Sequence, residues 1–434
     1  MSSHAAASPG KRWTSSFFQG LQKMGRSLQL PIAVLPAAGI LNRLGQPDIF
    51  GDEGLGWSDV AKVFMGAGGA LLDSALGLPL LFCVGVAIGM ARKADGSTAL
   101  AAVAGFLVYY NILHQFPECP SGAHYDSGLT TCVGKGGDAA GTPTYQNPGV
   151  FGGIVVGLLS AWFWQRLHRV KLVDWLGFFN GRRLVPIVMA FVALVLAVLC
   201  QWVWPPVGDA LTSFSKWMTD LGAWGSGIFG LANRALIPIG MHQFLNTFMW
   251  FQFGDFTKPG GEVVHGDINR FLAGDPTAGQ FTSGFFPIMM FALPAAALAI
   301  THTARPEQRK VVGGMMLSVG LTSFVTGVTE PIEFSFLFIA PALYVIHVIL
   351  TGVSMAVTWA LGVHDGFSFS AGLIDYVINW SLASKPWLII PIGLCFAVVY
   401  YVLFRFVIVK FDLKTPGREP EEVAEEIEKE NTEP

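Results

Sequence analysis

Leu184-Val-Pro-Ile-Val-Met-Ala-Phe-Val-Ala-Leu-Val-Leu-Ala-Val-Leu-Cys-Gln-Trp-Val-Trp204 contains no charged residue and follows directly on Arg182 and Arg183. A helix needs roughly 20 predominantly apolar residues to cross the hydrocarbon core of a bilayer, and this stretch meets that length. The run stays uncharged to residue 208, and others cover 74–91, 96–117, 139–165, 276–304, 311–329, 334–364 and 386–404. Only 13% of all residues are charged, 52% are hydrophobic and mean hydropathy is +0.51. Soluble domains carry about 25% charged residues. The chain reads as an all-α integral membrane protein.

Its orientation follows from where the basic residues fall. Lys and Arg cluster in Lys11 to Arg26, Arg92–Lys93, Arg166 to Arg183, Arg305 to Lys310 and Arg405 to Arg418, and such loops lie on the cytoplasmic side. The 115–148 segment has a single Lys and a Gly/Pro/Thr-rich texture, which puts it outside. Cys119 and Cys132 share that loop, so a disulfide between them is one reading and two free thiols the other. Trp162 and Trp164 before Arg166 form an aromatic anchor at an interface, and the helix starting at Leu184 is expected to end near Trp204. Both termini are expected in the cytoplasm. The formal charge of −3 conceals an acidic end: residues 419–434 hold eight Glu and one Lys, so the preceding chain carries +4.

Beyond Asp209 the texture changes. Asn233 to Gln243, Gly266 to Gly279 and Thr326 to Phe334 mix Gly, Pro, Asn, Thr and charged residues into apolar surroundings. Non-helical backbone at membrane depth survives only inside protein or beside a water-filled cavity. The chain therefore divides into a smoother half over 20–207 and a site-bearing half over 208–410, flanked by cytoplasmic segments 1–19 and 411–434.

Glu330 stands in Thr326-Gly-Val-Thr-Glu-Pro-Ile-Glu-Phe334. A carboxylate at membrane depth costs about 2.5–3.5 kcal/mol on insertion scales, so it calls for a partner or a function. Pro331 disfavours α geometry at Glu330, which reads as a re-entrant tip or helix break. Glu333 is one turn further on the same face. Arg234 and His242 are eight residues apart, slightly over two helical turns, with Gln243 beside them. Arg offers a fork of donors suited to hydroxyls or phosphate, and neutral His both donates and accepts. Asp267 and Asn269 sit in turn-forming sequence, as gate residues or as a solvated loop. His347 reads as a packed residue. With no CxxC pair, no His-Glu-x-x-His and no Gly-x-x-x-x-Gly-Lys, neither a metal nor a nucleotide cofactor is expected, and nothing points to nucleic acid.

Taken together and in order, Leu28-Gln-Leu-Pro-Ile-Ala-Val-Leu-Pro36, Asn233–Gln243, Gly266–Gly279, Gly327–Phe334 and Leu413-Lys-Thr-Pro-Gly-Arg-Glu419 resemble the IIC membrane component of the bacterial phosphotransferase system, glucose/N-acetylglucosamine/maltose family. The resemblance covers roughly 16–418. It implies a homodimer in the cytoplasmic membrane, each protomer having ten transmembrane helices and two re-entrant hairpins. Five scaffold helices would precede a transport domain. It further implies a hexose phosphorylated on its 6-hydroxyl by a phosphocysteine of a IIB domain, so the chain would be the membrane subunit of a protein-phosphohistidine–sugar phosphotransferase. Arg234, His242, Thr329 and Glu330 match the family's sugar ligands, and Glu330 or His242 is the candidate base for the 6-hydroxyl. None of the cysteines lies in an Arg-rich phosphocysteine context, so the donor is expected on a separate phosphorylated IIB protein, with 411–434 as the remnant of a linker. Asn42 to Asp48, Ser283 to Phe291 and Gly366 to Gly372 lean to N-acetylglucosamine, with glucose the rival sugar and an ion-coupled sugar transporter the rival class.

Overall fold

The computed structural model describes residues 27, 31, 34–72, 76–119, 123–126, 131–134, 144–239, 242–258, 263–337, 339–368 and 370–418. The 1–19 segment, the acidic 419–434 end and part of the Leu28–Pro36 motif lie outside these. Five described helical stretches are long and apolar enough to cross a membrane: Gly96–Leu113, Val150–Leu167, Gly181–Asp220, Pro341–Ala360 and Pro386–Lys410. Each coincides with an uncharged run of the sequence. By contacts, 69–214 form one compact unit, while 36–68 join 215–418 in a second.

In the first unit, α3 (Gly77–Met90), α4 (Gly96–Leu113) and α5 (Val150–Leu167) pack with the first part of α6 (Leu184–Asp220). Apolar lipid gives helices no hydrophobic reason to associate, so close backbone approach over small residues does it. A Cβ on Gly153 would stand 2.2 Å from the Pro79 carbonyl, and one on Gly157 2.5 Å from that of Cys83. Phe106, Tyr109, Trp164 and Met189 fill the core around them. Asp95 caps α4 with Thr98 in a reciprocal box and pairs with Arg182 at 2.7 Å. Between α4 and α5 the loop carries short antiparallel hairpins, and a disulfide joins Cys119 to Cys132.

The expected helix end near Trp204 is not observed, because α6 runs through Pro205 and Pro206 to Asp220. Membrane helices tolerate such breakers where neighbouring groups satisfy the freed backbone. The division by contacts falls at Phe214/Ser215.

The second unit begins with α1 (Leu35–Leu44) and α2 (Ser58–Leu72). Arg43 is fully buried. Its guanidinium donates twice to Asp48 at 2.6 Å, to Asn379 at 2.8 Å and to Ser381 at 3.1 Å, fastening the start of the unit to its late loop. Next come α7 (Ala223–Ala235), α8 (His242–Phe251), two short strands over Asp255–Thr257 and Val263–His265, and α9 (Asp267–Leu272). A π-helical turn over Pro287–Ala292 leads into α10 (Leu293–Thr303), and Ser323 donates to the Met289 carbonyl inside that turn at 2.6 Å. The order closes with α11 (Arg309–Thr326), α12 (Glu330–Leu337), α13 (Pro341–Ala360), α14 (Leu373–Ile378) and α15 (Ile389–Lys410). Gly227 and Gly352 let α7 and α13 touch: a Cβ on Gly352 would meet the Gly227 carbonyl at 2.9 Å.

Past α15, Leu413 to Arg418 folds onto the turn between α10 and α11. Arg418 donates to the Thr303 carbonyl at 3.0 Å and to Asp412 at 2.6 Å, while Lys414 reaches the same carboxylate at 2.5 Å. Those two bonds, from Lys414 first and then Arg418, hold the exposed Asp412 carboxyl below its ordinary range. A depressed carboxylate contributes stability above its unfolded pKa and loses it as pH falls through the folded one. Acidification below about pH 4 is therefore expected to lower amide-exchange protection of Leu413 and Arg418 while α15 keeps its own. Unchanged protection there would refute the clamp.

Candidate functional site

Helix α11 ends in Gly327, whose left-handed φ of +73° lets the chain turn out of the helix. The Ser370 hydroxyl donates to the Gly327 carbonyl at 2.9 Å and fixes the turn. Thr329 then precedes α12 and accepts the Glu333 N–H on its carbonyl at 2.9 Å. As the residue order demands, Glu330 opens the helix and Glu333 lies one turn inside it.

From α7, Arg234 meets this helix. Its Nη1 donates to Glu333 Oε1 at 2.9 Å and approaches Thr329 Oγ1 at 3.4 Å. Both partners of the ion pair are buried, with Glu333 at 0% exposure. The guanidinium lies over the Phe285 ring, 4.9 Å from its centroid, and Tyr344 donates to the Arg234 carbonyl at 2.5 Å. On the far side of Glu333 stands His347, its Nε2 3.3 Å from Oε1. Such a pair stays ionised in a low-dielectric interior only when the geometry is good and the remaining polar atoms are occupied. Here Arg234 Nε, Glu333 Oε2 and His242 Nδ1 have no hydrogen-bond partner among the described residues. Three such buried polar atoms are a standing invitation to a hydroxyl-rich ligand.

His242 begins α8, with Gln243 Nε2 2.9 Å from its Nε2, and it is close enough to feel the charges of Arg234 and Glu333. Asn233 and Asn246, hydrogen-bonded to each other, tie α7 to α8 behind it. Arg234, His242, Thr329 and Glu333 thus gather at one place, with Gln243 at its edge. Half-buried Glu330 stands beside them, approached by backbone N–H groups of Thr329 and its own residue. Arg234 pairs with Glu333, not with Glu330.

Asp267 and Asn269 do not join the cluster. Asp267 is 2% exposed, which removes the solvated-loop reading, and its two oxygens accept the N–H groups of Gly279 at 2.9 Å and Phe281 at 3.0 Å. It staples its own loop. Asn269 donates to the His265 carbonyl at 3.1 Å. Charge-assisted bonds of this kind are worth about 1.5–3 kcal/mol each, so Asp267→Ala is expected to destabilise the protein by about 3 kcal/mol in a thermal or denaturant titration. A loss under about 0.5 kcal/mol would show that the staple is dispensable. His347, read from sequence as packed, is fully buried and also reaches Glu333 at 3.3 Å, a contact the sequence reading did not name. The available signal was the expense of an imidazole at the middle of an uncharged run.

The sequence profile of the family described as Phosphotransferase system, EIIC matches residues 25–352. The chain is 67% identical to the PTS system N-acetylglucosamine-specific EIIC component of Streptomyces coelicolor, over 98% of each chain. It is 47% identical to the N-acetylglucosamine-specific EIICBA component of Escherichia coli, covering 92% of this chain and 56% of that one. Among solved structures, ChbC, the IIC component of the N,N'-diacetylchitobiose-specific phosphotransferase system, superposes with a TM-score of 0.52 over 90% of this chain and 92% of that one, at 14% identity. At that identity the likeness concerns the fold alone. With the profile spanning most of the chain and full-length relatives this similar, the chain belongs to the phosphotransferase system EIIC family.

Proposed function

We propose that this protein is the sugar permease of an N-acetylglucosamine phosphotransferase system. It binds the sugar between Arg234, His242, Thr329 and the carboxylates of Glu330 and Glu333, moves it across the bacterial cytoplasmic membrane and presents the 6-hydroxyl to phosphorylated IIB. The observation that carries the reading is the likeness over 98% of both chains to an N-acetylglucosamine-specific EIIC component. The finer architecture belongs to the same proposal: ten transmembrane helices with two re-entrant hairpins, a homodimer built on the scaffold helices, a transport domain within 208–410 and termini in the cytoplasm.

In the transfer step the sugar O6 attacks the phosphorus of the IIB phosphocysteine. The new O–P bond forms as the S–P bond breaks, and the hydroxyl proton passes to a base. Glu330 suits that role because its carboxylate lies at a helix start without a side-chain donor holding it, whereas Glu333 is committed to Arg234. A positioned general base contributes about 10²–10⁴-fold. Glu330→Gln is therefore expected to keep measurable sugar binding and to lose phosphorylation by that factor. Full-rate phosphorylation would remove the base role.

Vesicles containing the protein, supplied with labelled N-acetylglucosamine or glucose with and without phosphorylated IIB, test the whole reading. Trapped N-acetylglucosamine 6-phosphate appearing only with IIB is the expected result. Preference for glucose would reassign the sugar. Unmodified label accumulating on a proton gradient without IIB would make the protein an ion-coupled transporter.

A further inference from the structure

Behind the proposed sugar ligands lies a buried polar pair that the reaction does not use. His347 on α13 and Tyr400 on α15 are both 0% exposed. His347 Nδ1 is 2.9 Å from the Tyr400 hydroxyl, which also has the His347 carbonyl within donating reach, at the longer distance of 3.4 Å. The same carbonyl already accepts from Thr351 at 2.8 Å. Phe336 stands edge-on to the imidazole with centroids 6.1 Å apart, and Tyr344 lies 5.8 Å away. The other ring nitrogen, Nε2, faces Glu333 Oε1 at 3.3 Å.

A neutral imidazole has one N–H, and the partner of one nitrogen decides where it sits. If the Tyr400 hydroxyl accepted from Nδ1–H, the Nε2 lone pair would face a carboxylate in a dry interior, where an unpaired polar group is costly. If Tyr400 donates to Nδ1, the proton sits on Nε2 and points at Glu333. The second arrangement gives Nδ1 a donor at 2.9 Å and turns an N–H rather than a lone pair towards Glu333 Oε1 at 3.3 Å. We propose that Tyr400 fixes His347 in its Nε2–H form, and that this N–H steers the Glu333 carboxylate so that Oε1 holds Arg234 while Oε2 and the Arg234 Nε stay open to sugar hydroxyls. His347 and Tyr400 are then positioning residues, acting on the ligand through Glu333. The inference rests on the reading of Arg234 and Glu333 as sugar ligands.

Two measurements on the full-length protein in nanodiscs test it. In nitrogen NMR of histidine-labelled protein, with His347 assigned by difference from His347→Gln, the Nε2–H tautomer is expected, and Tyr400→Phe is expected to mix the tautomers. An Nδ1–H form in the unaltered protein would overturn the proposal whatever its substrate. In binding and phosphorylation assays with N-acetylglucosamine, Tyr400→Phe and His347→Leu are expected to raise Kd and KM by roughly 10- to 100-fold, the range for a hydrogen bond to a charged group. At saturating sugar, kcat should stay within about twofold. His347→Gln, whose amide N–H reaches the same carboxylate, is expected to recover most of the affinity. Unchanged affinity in Tyr400→Phe, a loss confined to kcat, or a Gln variant no better than Leu would each refute it. If His347→Leu fails to fold, Tyr400→Phe and His347→Gln decide between themselves. Unaltered protein that binds neither N-acetylglucosamine nor glucose would instead sink the functional reading, leaving the tautomer result to stand or fall alone.

Discussion

Arg234→Ala is expected to abolish sugar binding and to destabilise the protein by about 3–5 kcal/mol, the cost of leaving one member of a buried ion pair alone. Glu333 has no exposure to water, and Nη1 of Arg234 is the charged donor that its Oε1 receives. His347 approaches the same oxygen and cannot replace a full positive charge while neutral. The double variant Arg234→Met/Glu333→Gln separates the two losses. With the carboxylate neutralised, the unfolding midpoint should return most of the way to that of the unaltered protein, whereas binding should stay absent because the guanidinium fork is gone. Midpoints from thermal unfolding in detergent and Kd from calorimetry supply both readings. A stable Arg234→Ala variant would mean that Glu333 is held by something other than this pair, and a double variant that binds sugar would remove Arg234 from the ligand set.

The second large effect is expected at Arg43, far in sequence from any candidate ligand. Arg43→Leu leaves the partly buried Asp48 carboxylate with only the Ser381 hydroxyl and takes the donor from the Asn379 amide oxygen, and a loss of about 2–3 kcal/mol follows from removing charge-assisted bonds. Lysine should not rescue it. A single ammonium cannot make two parallel bonds to Asp48 while reaching Asn379 and Ser381. Limited proteolysis in the 48–57 loop, together with the unfolding midpoint, would register the loosening. An Arg43→Lys protein as stable as the original would show that charge alone suffices and that the fork is immaterial.

How much of this was legible beforehand depended on the range of the signal. The uncharged runs marked all five candidate spans because length and charge are local properties that the bilayer reads directly. The break at Glu330 was legible too, since Gly327 and Pro331 act on their own dihedrals. The stop expected at Trp204 was misjudged for the complementary reason. Pro205 and Pro206 weaken a helix locally, yet whether it continues is settled by neighbours that the local sequence does not display. The pairing of Arg234 with Glu333, 99 positions apart, was out of reach of any local window, and the resemblance grouped Arg234 with Glu330 instead. The meeting of His347 with Tyr400 was not legible because it joins two helices 53 positions apart. The role of Arg43 was likewise out of reach. Its burial depends on Asn379 and Ser381, which no window around residue 43 contains.

The 37-residue helix from Leu184 to Asp220 has a consequence in simple dimensions. At 1.5 Å per residue it is about 55 Å long, against a hydrocarbon slab of roughly 30 Å. Even at the steep end of observed tilts, about 40°, it would still rise about 42 Å along the bilayer normal. No inclination therefore conceals it, and its last turns must stand clear of the acyl chains. The uncharged part measured from Leu184 uses up the slab close to Trp202 and Trp204, the residue type that favours the headgroup level. Asp209, Lys216 and Asp220, all exposed, fall in the part of the helix that exceeds the slab. The first half of this helix thus matches the membrane's thickness, and the part beyond Trp204 is surplus to it.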